Sequence, residues 1–318
     1  MSPESQPTPP AYSPFPLLLL AADVGLVETT VETRLGSCVI RHRASPTSAT
    51  ATLFLHGAAG AWTTWTPLLQ AATSARTPIE NPVLLDLPGW GDSSMPGGGL
   101  TVETISAFIR ESVEAVGYTD WRIVGHSLGG SIALHLAATS PERTRSIAVV
   151  SPTTFSIIRS IDHPVRNFGE MPAFTTLLGV MRLLTALGRA GVGLVRTAAA
   201  TGAAKLAFAP LFRHGFRVPP SLITATVRDL RPAAFAAAAD ATRGYDAVAV
   251  WSDIRCPVVA LRGDRDIFVG PRDFDDLAQV LPAARLAVVA GCGHFAIAER
   301  PVEVLAAIFA GWADEPKP

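Results

Sequence analysis

The sequence is punctuated by short apolar runs that each stop at a glycine-containing turn, and this alternation limits the folds open to the chain more than any single residue does. Residues 51–55 end in His56-Gly57, residues 83–87 run into Asp86-Leu87-Pro88-Gly89-Trp90-Gly91-Asp92-Ser93, and residues 122–124 end in Gly125-His126-Ser127-Leu128-Gly129-Gly130. Residues 147–150 and 258–261 continue the series. Helical stretches separate the runs; the clearest is 102–116, where Ile105, Phe108, Ile109, Val113 and Val116 recur at spacings of three and four. Short buried strands alternating with helices predict right-handed crossovers, and so an α/β chain with a mostly parallel, twisted sheet flanked by helices. Ahead of it, residues 27–33 and 37–43 have strand composition around Gly36 and predict an antiparallel hairpin. In such a sheet functional side chains collect at the carboxyl ends of the strands.

Four of the turns carry chemistry. Gly125-His126-Ser127-Leu128-Gly129 lies directly after a strand and directly before the helical pattern 131–138, a context that makes Ser127 a candidate nucleophile. A serine on so sharp a turn has a strained backbone and needs neighbours almost without side chain, which Gly125 and Gly129 supply. The amide of Leu128, at the helix start, is placed to receive an oxyanion, and the amide of Ala58, after the His56-Gly57 turn, is assigned as its partner. A hydroxyl is a weak nucleophile near neutrality, so Ser127 requires a base and a group that fixes the base's tautomer. His294, in Gly291-Cys292-Gly293-His294-Phe295 after the apolar run 286–289, is the candidate base; Asp266, after the run 258–261, is the candidate acid. Asp264 is its rival, but three residues past Gly263 leave the chain room to turn back over the strand end. His56, His126 and His135 are read as non-catalytic, as are His42, His163 and His214, and the 86–93 loop is read as structural.

Together, the elbow around Ser127, the His56-Gly57 turn, the 86–93 loop, Gly263-Asp264-Arg265-Asp266 and the turn at His294 resemble the α/β-hydrolase superfamily of capped esterases over residues 27–313. The resemblance implies that fold and a serine hydrolase acting through Ser127, His294 and Asp266. Haloalkane dehalogenases and epoxide hydrolases of the fold place Asp at the elbow, where this chain has Ser127. The carbon–carbon bond hydrolases carry Gly-Pro-Gly after the first turn and Trp after the histidine, whereas here Ala58-Ala59-Gly60 and Phe295 stand.

Between about 153 and 250 the strands stop and Ala, Leu and Arg take over, which predicts a helical cap at 153–250 inserted into a core of 23–152 and 251–318. This segment holds eleven Arg plus Lys against five Asp plus Glu, while the whole chain has a net charge of −1. Arg182, Arg189 and Arg196 recur every seven residues on an apolar background, interrupted at Gly188, Gly191 and Gly193. A lid helix with solvated arginines is the ordinary reading, and contact with a lipid surface or an anionic partner is the second. Phe155, Phe168, Phe174, Phe208, Phe212, Phe216 and Phe235 predict an apolar pocket beneath the cap, suited to an ester with a hydrophobic acyl or alkyl part. The near-neutral charge argues against a nucleic-acid partner. Cys38, Cys256 and Cys292 have neither disulfide nor zinc spacing, and nothing calls for a metal or cofactor. Residues 1–22 are expected to be a disordered tail. No cation precedes the apolar stretch 17–22 as in a secretion signal, so a cytoplasmic protein is expected. Two other functions remain open: carbon–carbon cleavage of a ring-fission product, with a cap arginine gripping a carboxylate, and ligand binding with little turnover.

Overall fold

A computed structural model describes residues 11–315. Eight strands form one sheet in the order β1-β2-β4-β3-β5-β6-β7-β8. They are β1 Val27–Thr33, β2 Gly36–His42, β3 Thr50–Leu55, β4 Pro82–Leu85, β5 Asp120–His126, β6 Thr144–Val150, β7 Val258–Gly263 and β8 Arg285–Val289. The opening hairpin β1–β2 is antiparallel and β2 pairs antiparallel with β4, while every pairing from β4 to β8 is parallel. The predicted class is therefore the observed one.

Side-chain alternation along the strands builds two cores. Leu53, Leu55, Ile123 and Val149 point into one cluster, whereas Phe54, Val124, Ala148 and Val150 point into the other. Helices α1 Thr66–Ser74, α2 Val102–Ala115 and α3 Leu128–Thr139 alternate with the central strands. Helix α2 buries Ile105, Phe108, Ile109 and Val113, and Thr101 caps its start by accepting from the Thr104 amide at 3.2 Å.

Between β6 and β7 the chain forms α4 Phe155–Asp162, α5 Pro172–Ala186, α6 Arg189–Ala200, α7 Ala203–Phe208, α8 Pro220–Arg228, α9 Pro232–Ala241 and α10 Ala247–Trp251. The expected three glycine interruptions reduce to one. Gly188, at φ 53°, separates α5 from α6, but Gly191 and Gly193 lie inside α6. Gly191 serves close packing, because a Cβ there would overlap the Leu184 carbonyl. The seven-residue arginine stripe is broken for the same reason: Arg182 on α5 pairs with Asp240 at 2.7 Å, while Arg189 and Arg196 share α6. After β7 come α11 Pro271–Val280, α12 Ala296–Glu299 and α13 Pro301–Trp312, and α13 covers the second core with α1.

Residues 1–10 of the expected tail lie outside the described residues, and residues 11–22 are not a free tail. The Tyr12 hydroxyl donates to Glu299 at 2.7 Å, the Ser13 amide donates to the Glu299 carbonyl at 2.8 Å, and Leu17 is buried. The amides of Leu17 and Leu18 donate to the hydroxyls of Ser221 and Thr66, each at 3.0 Å. Tyr12 and Leu17 supply the apolar surface that the Pro and Ser content concealed, and paired backbone groups make the segment part of the body.

The 86–93 loop is structural, as the sequence implied. Asp86 is fully buried, accepts from the Trp62 amide at 2.8 Å and the Asp92 amide at 3.0 Å, and is paired with the buried guanidinium of Arg41. Arg41 also reaches Asp92 and Glu28. Asp86→Ala would leave the buried Trp62 amide and Nη1 of Arg41 without their acceptor, so it should lower the unfolding free energy by about 3 kcal/mol in urea titration.

Candidate active site

The strand ends place four of the five expected side chains or backbones around one cavity. Ser127 sits between β5 and α3 with φ 52° and ψ −118°, a left-handed conformation that a serine tolerates only when held. It is held by β6: its amide donates to the Val150 carbonyl at 3.1 Å, and its carbonyl accepts from the amides of Thr153 and Gly130 at 2.9 Å. Helix α3 can approach this closely because residue 129 is glycine, where any Cβ would overlap the Leu55 carbonyl at the end of β3. Gly57 serves the same need from the other side, since a Cβ there would lie 2.8 Å from the Cβ of Ser127.

Ser127, Leu128, Ala58 and His294 line the same cavity, of about 70 Å³. Ser127 is partly exposed, and the first amides of α3, beginning with Leu128, have no partner within the helix. Apart from Thr153, Thr226 and Thr242, the rest of the lining is apolar, including Phe174, Phe208 and Phe235 from the expected aromatic set together with Phe268, Phe295 and Leu230. Phe168 and Phe216, also in that set, face solvent, and Phe155 packs on Trp251. The remaining one, Phe212, stacks on Phe295 with centroids 5.0 Å apart.

Asp266 does not line the cavity but lies behind His294. Its carboxylate oxygens stand 3.0 and 3.1 Å from His294 Nδ1. Oδ1 also accepts from the amides of Phe268 and Val269 at 2.9 and 3.2 Å. Burial alone would raise the pKa of Asp266, but the adjacent His294 and these donors outweigh it and hold the carboxyl below the usual carboxylate range. The partner at Nδ1 assigns the proton to that nitrogen and leaves Nε2 for the cavity. Asp264, the rival acid, is exposed and accepts from the Cys292 amide at 3.1 Å, tying the loop after β7 to the one carrying His294.

Two residues that the sequence reading left aside support the imidazole. His126 does not contact solvent: its Nε2 donates to the His294 carbonyl at 2.9 Å, and the two rings lie 5.0 Å apart. Burial, then the neighbouring His294, pushes its pKa down to about 3. Glu299, fully buried, accepts from the Gly293 amide at 2.9 Å, the Arg213 amide at 2.8 Å and the Tyr12 hydroxyl. Its carboxyl is raised above the usual range by burial. The amide of His294 itself donates to the Leu211 carbonyl at 2.8 Å, so the segment after α7 is fastened directly to the histidine. The only sequence hint of Glu299 is a carboxylate within the apolar run Phe295-Ala296-Ile297-Ala298. His56 is structural as expected: Nδ1 donates to the Gly57 carbonyl at 2.8 Å and Nε2 accepts from the Leu87 amide at 2.9 Å.

A mostly parallel sheet with a strained serine elbow and a buried His–Asp pair across the strand ends defines a class of hydrolase. The chain belongs to the alpha/beta hydrolase family, whose model matches residues 52–308. It is 27% identical over 256 residues to a pimeloyl-[acyl-carrier protein] methyl ester esterase of Aromatoleum aromaticum, covering 76% of this chain and 88% of that one. A second relative is the dihydrolipoyllysine-residue acetyltransferase component of an acetoin cleaving system of Cupriavidus necator, 35% identical over 116 residues; the match covers 36% of this chain and 30% of that protein's length. A carboxylesterase of Bacillus subtilis superposes with a TM-score of 0.66 at 18% identity, covering 92% of this chain and 94% of that one, a likeness of fold. No helix among the described residues is long and apolar enough to cross a membrane.

The buried His126 makes stability depend on pH. With its folded pKa near 3 against an ordinary 6.5, the unfolded chain carries one more proton between those values, so this contribution is complete above pH 6.5 and is lost as pH falls towards 3. Urea unfolding between these limits should show His126→Gln losing stability less steeply than wild type, by about 1.4 kcal/mol per pH unit.

Proposed function

We propose that the chain is a serine hydrolase that cleaves carboxylic esters with a hydrophobic acyl or alkyl part through an acyl-enzyme. His294 Nε2 takes the proton of the Ser127 hydroxyl as Oγ bonds to the ester carbonyl carbon, and the carbonyl electron pair moves onto oxygen. The amides of Leu128 and Ala58 receive that oxyanion, and Asp266 holds the imidazole and stabilises its charged form. Collapse expels the alkoxide, which takes the proton from His294 and leaves as alcohol. Water then repeats the sequence on the acyl group, with His294 accepting its proton, and frees the carboxylic acid and Ser127.

The observation that carries the reading is the convergence of a strained Ser127 and a carboxylate-backed His294 on one phenylalanine-lined cavity. The esterase activity named for the Aromatoleum relative is of the same kind. Among the described residues that line this cavity there is no Arg or Lys, so nothing there favours carbon–carbon cleavage of a substrate held by a cap arginine.

A fluorophosphonate should label Ser127, and Ser127→Ala should remove both label and p-nitrophenyl ester hydrolysis. Asp266→Asn should lower kcat about 10⁴-fold by stabilising the wrong tautomer, whereas Asp264→Asn should lower it less than about tenfold. An unlabelled wild-type protein would leave ligand binding as the better reading, and the opposite order of the two aspartates would overturn the choice of acid.

A further inference from the structure

Beside the cavity at Ser127 lies a second, much larger one, and the two share Leu230 in their walls. It is a groove of about 1210 Å³ between α6 and α8, with Leu184, Val192, Ile223 and Val227 on its apolar surface. Arg189, Arg196 and Lys205 also line it. Arg228 and Arg231 complete its cationic side but are already engaged, the first with Asp229 at 3.0 Å and the second with the carbonyls of Gly89 and Gly91. Arg189 and Arg196 are exposed and have no carboxylate partner among the described residues, and Lys205 lies 5.7 Å from the Phe216 ring.

The charge there is uncompensated along the chain as well. From Met171 to Arg228 there are seven Arg and Lys and not one Asp or Glu. Among the described residues that line the cavity at Ser127, by contrast, there is no Arg or Lys. An apolar trough with unpaired guanidiniums and an ammonium matches one ligand chemistry, a long apolar chain ending in an anionic oxygen group.

We propose that the groove between α6 and α8 is a binding site for an anionic acyl amphiphile, its phosphate or carboxylate held by Arg189, Arg196 and Lys205 and its chain lying along Val192, Ile223 and Leu230. Resting on the ester-hydrolase reading, the proposal further makes this groove the site of the substrate's anionic end, with the ester reaching Ser127 past Leu230. Two sources share the chemistry, a dispersed amphiphile and a lipid in a bilayer.

Calorimetric titration of full-length Ser127→Ala protein separates binding from turnover. Monomeric dodecyl phosphate should bind, and neutral dodecyl maltoside should bind far more weakly. Replacing Arg189 and Arg196 together by Gln should weaken dodecyl phosphate about thirtyfold, two basic residues at about 1 kcal/mol each. Replacing both by Lys should restore most of it, and Leu230→Trp should lower kcat/KM for a long-chain anionic ester more than for p-nitrophenyl acetate. Sedimentation with phosphatidylcholine vesicles, with and without phosphatidylglycerol, identifies the source: added retention on the anionic vesicles, alongside dodecyl phosphate binding, points to a bilayer lipid. Equal binding of the two detergents, unaltered binding in the Gln variant, or retention on vesicles without binding of monomeric dodecyl phosphate would overturn the groove as a site. Dodecyl phosphate binding in a protein that hydrolyses no ester would leave the groove standing and remove the hydrolase reading.

Discussion

The approach of α3 to the end of β3 is the constraint on which the site depends. At Gly129 the helix comes so near the Leu55 carbonyl that only a residue without a side chain fits, and two residues earlier Ser127 takes a left-handed backbone. The cost of such a conformation is of order 1–3 kcal/mol and must be met by neighbours that over-determine it. Here the bonds to Val150, Thr153 and Gly130 do so. The serine is thus raised out of the sheet, and the first amides of α3, those of Leu128 and Gly129, are brought beside it without a partner within the helix.

The groups opposite are fixed by a different device. The loops after β7 and β8 are stitched to each other by the Arg265 amide on the Cys292 carbonyl at 3.1 Å and by Asp264 on the Cys292 amide. This stitching separates the tasks of two nearby carboxylates. Asp264 organises backbone, and Asp266 faces the imidazole, which with the surrounding donors keeps its charge.

The parallel sheet, the hairpin, the elbow and the positions of His294 and Asp266 were legible in the sequence because each is written locally, in alternation, glycines and strand-end turns. What was not legible depends on partners distant in the chain. The place of His126 depends on such a partner: its ring donates to the carbonyl of residue 294, 168 positions away. Glu299 has no motif, and its value lies in three donors drawn from the loop before α12, the cap and the N-terminal segment. Residues 11–22 looked like a tail by composition, since nothing local reveals that Ser221 and Thr66 wait for their amides. Helix α6 passes through Gly191 because its close contact with Leu184 matters more than helix propensity there, whereas at Gly193 a side chain would meet nothing.

One bond ties these observations together, from the His294 amide to the Leu211 carbonyl of the cap. It makes roof and imidazole a single mechanical part, with Glu299 as a second rivet through Arg213 and Gly293. Swinging that corner of the roof outward would drag the ring off its seat, so entry for a bulky molecule is better made away from this fastening, where α5 turns into α6 at Gly188. The fold thereby makes the seat of the imidazole and the segment after α7 move as one.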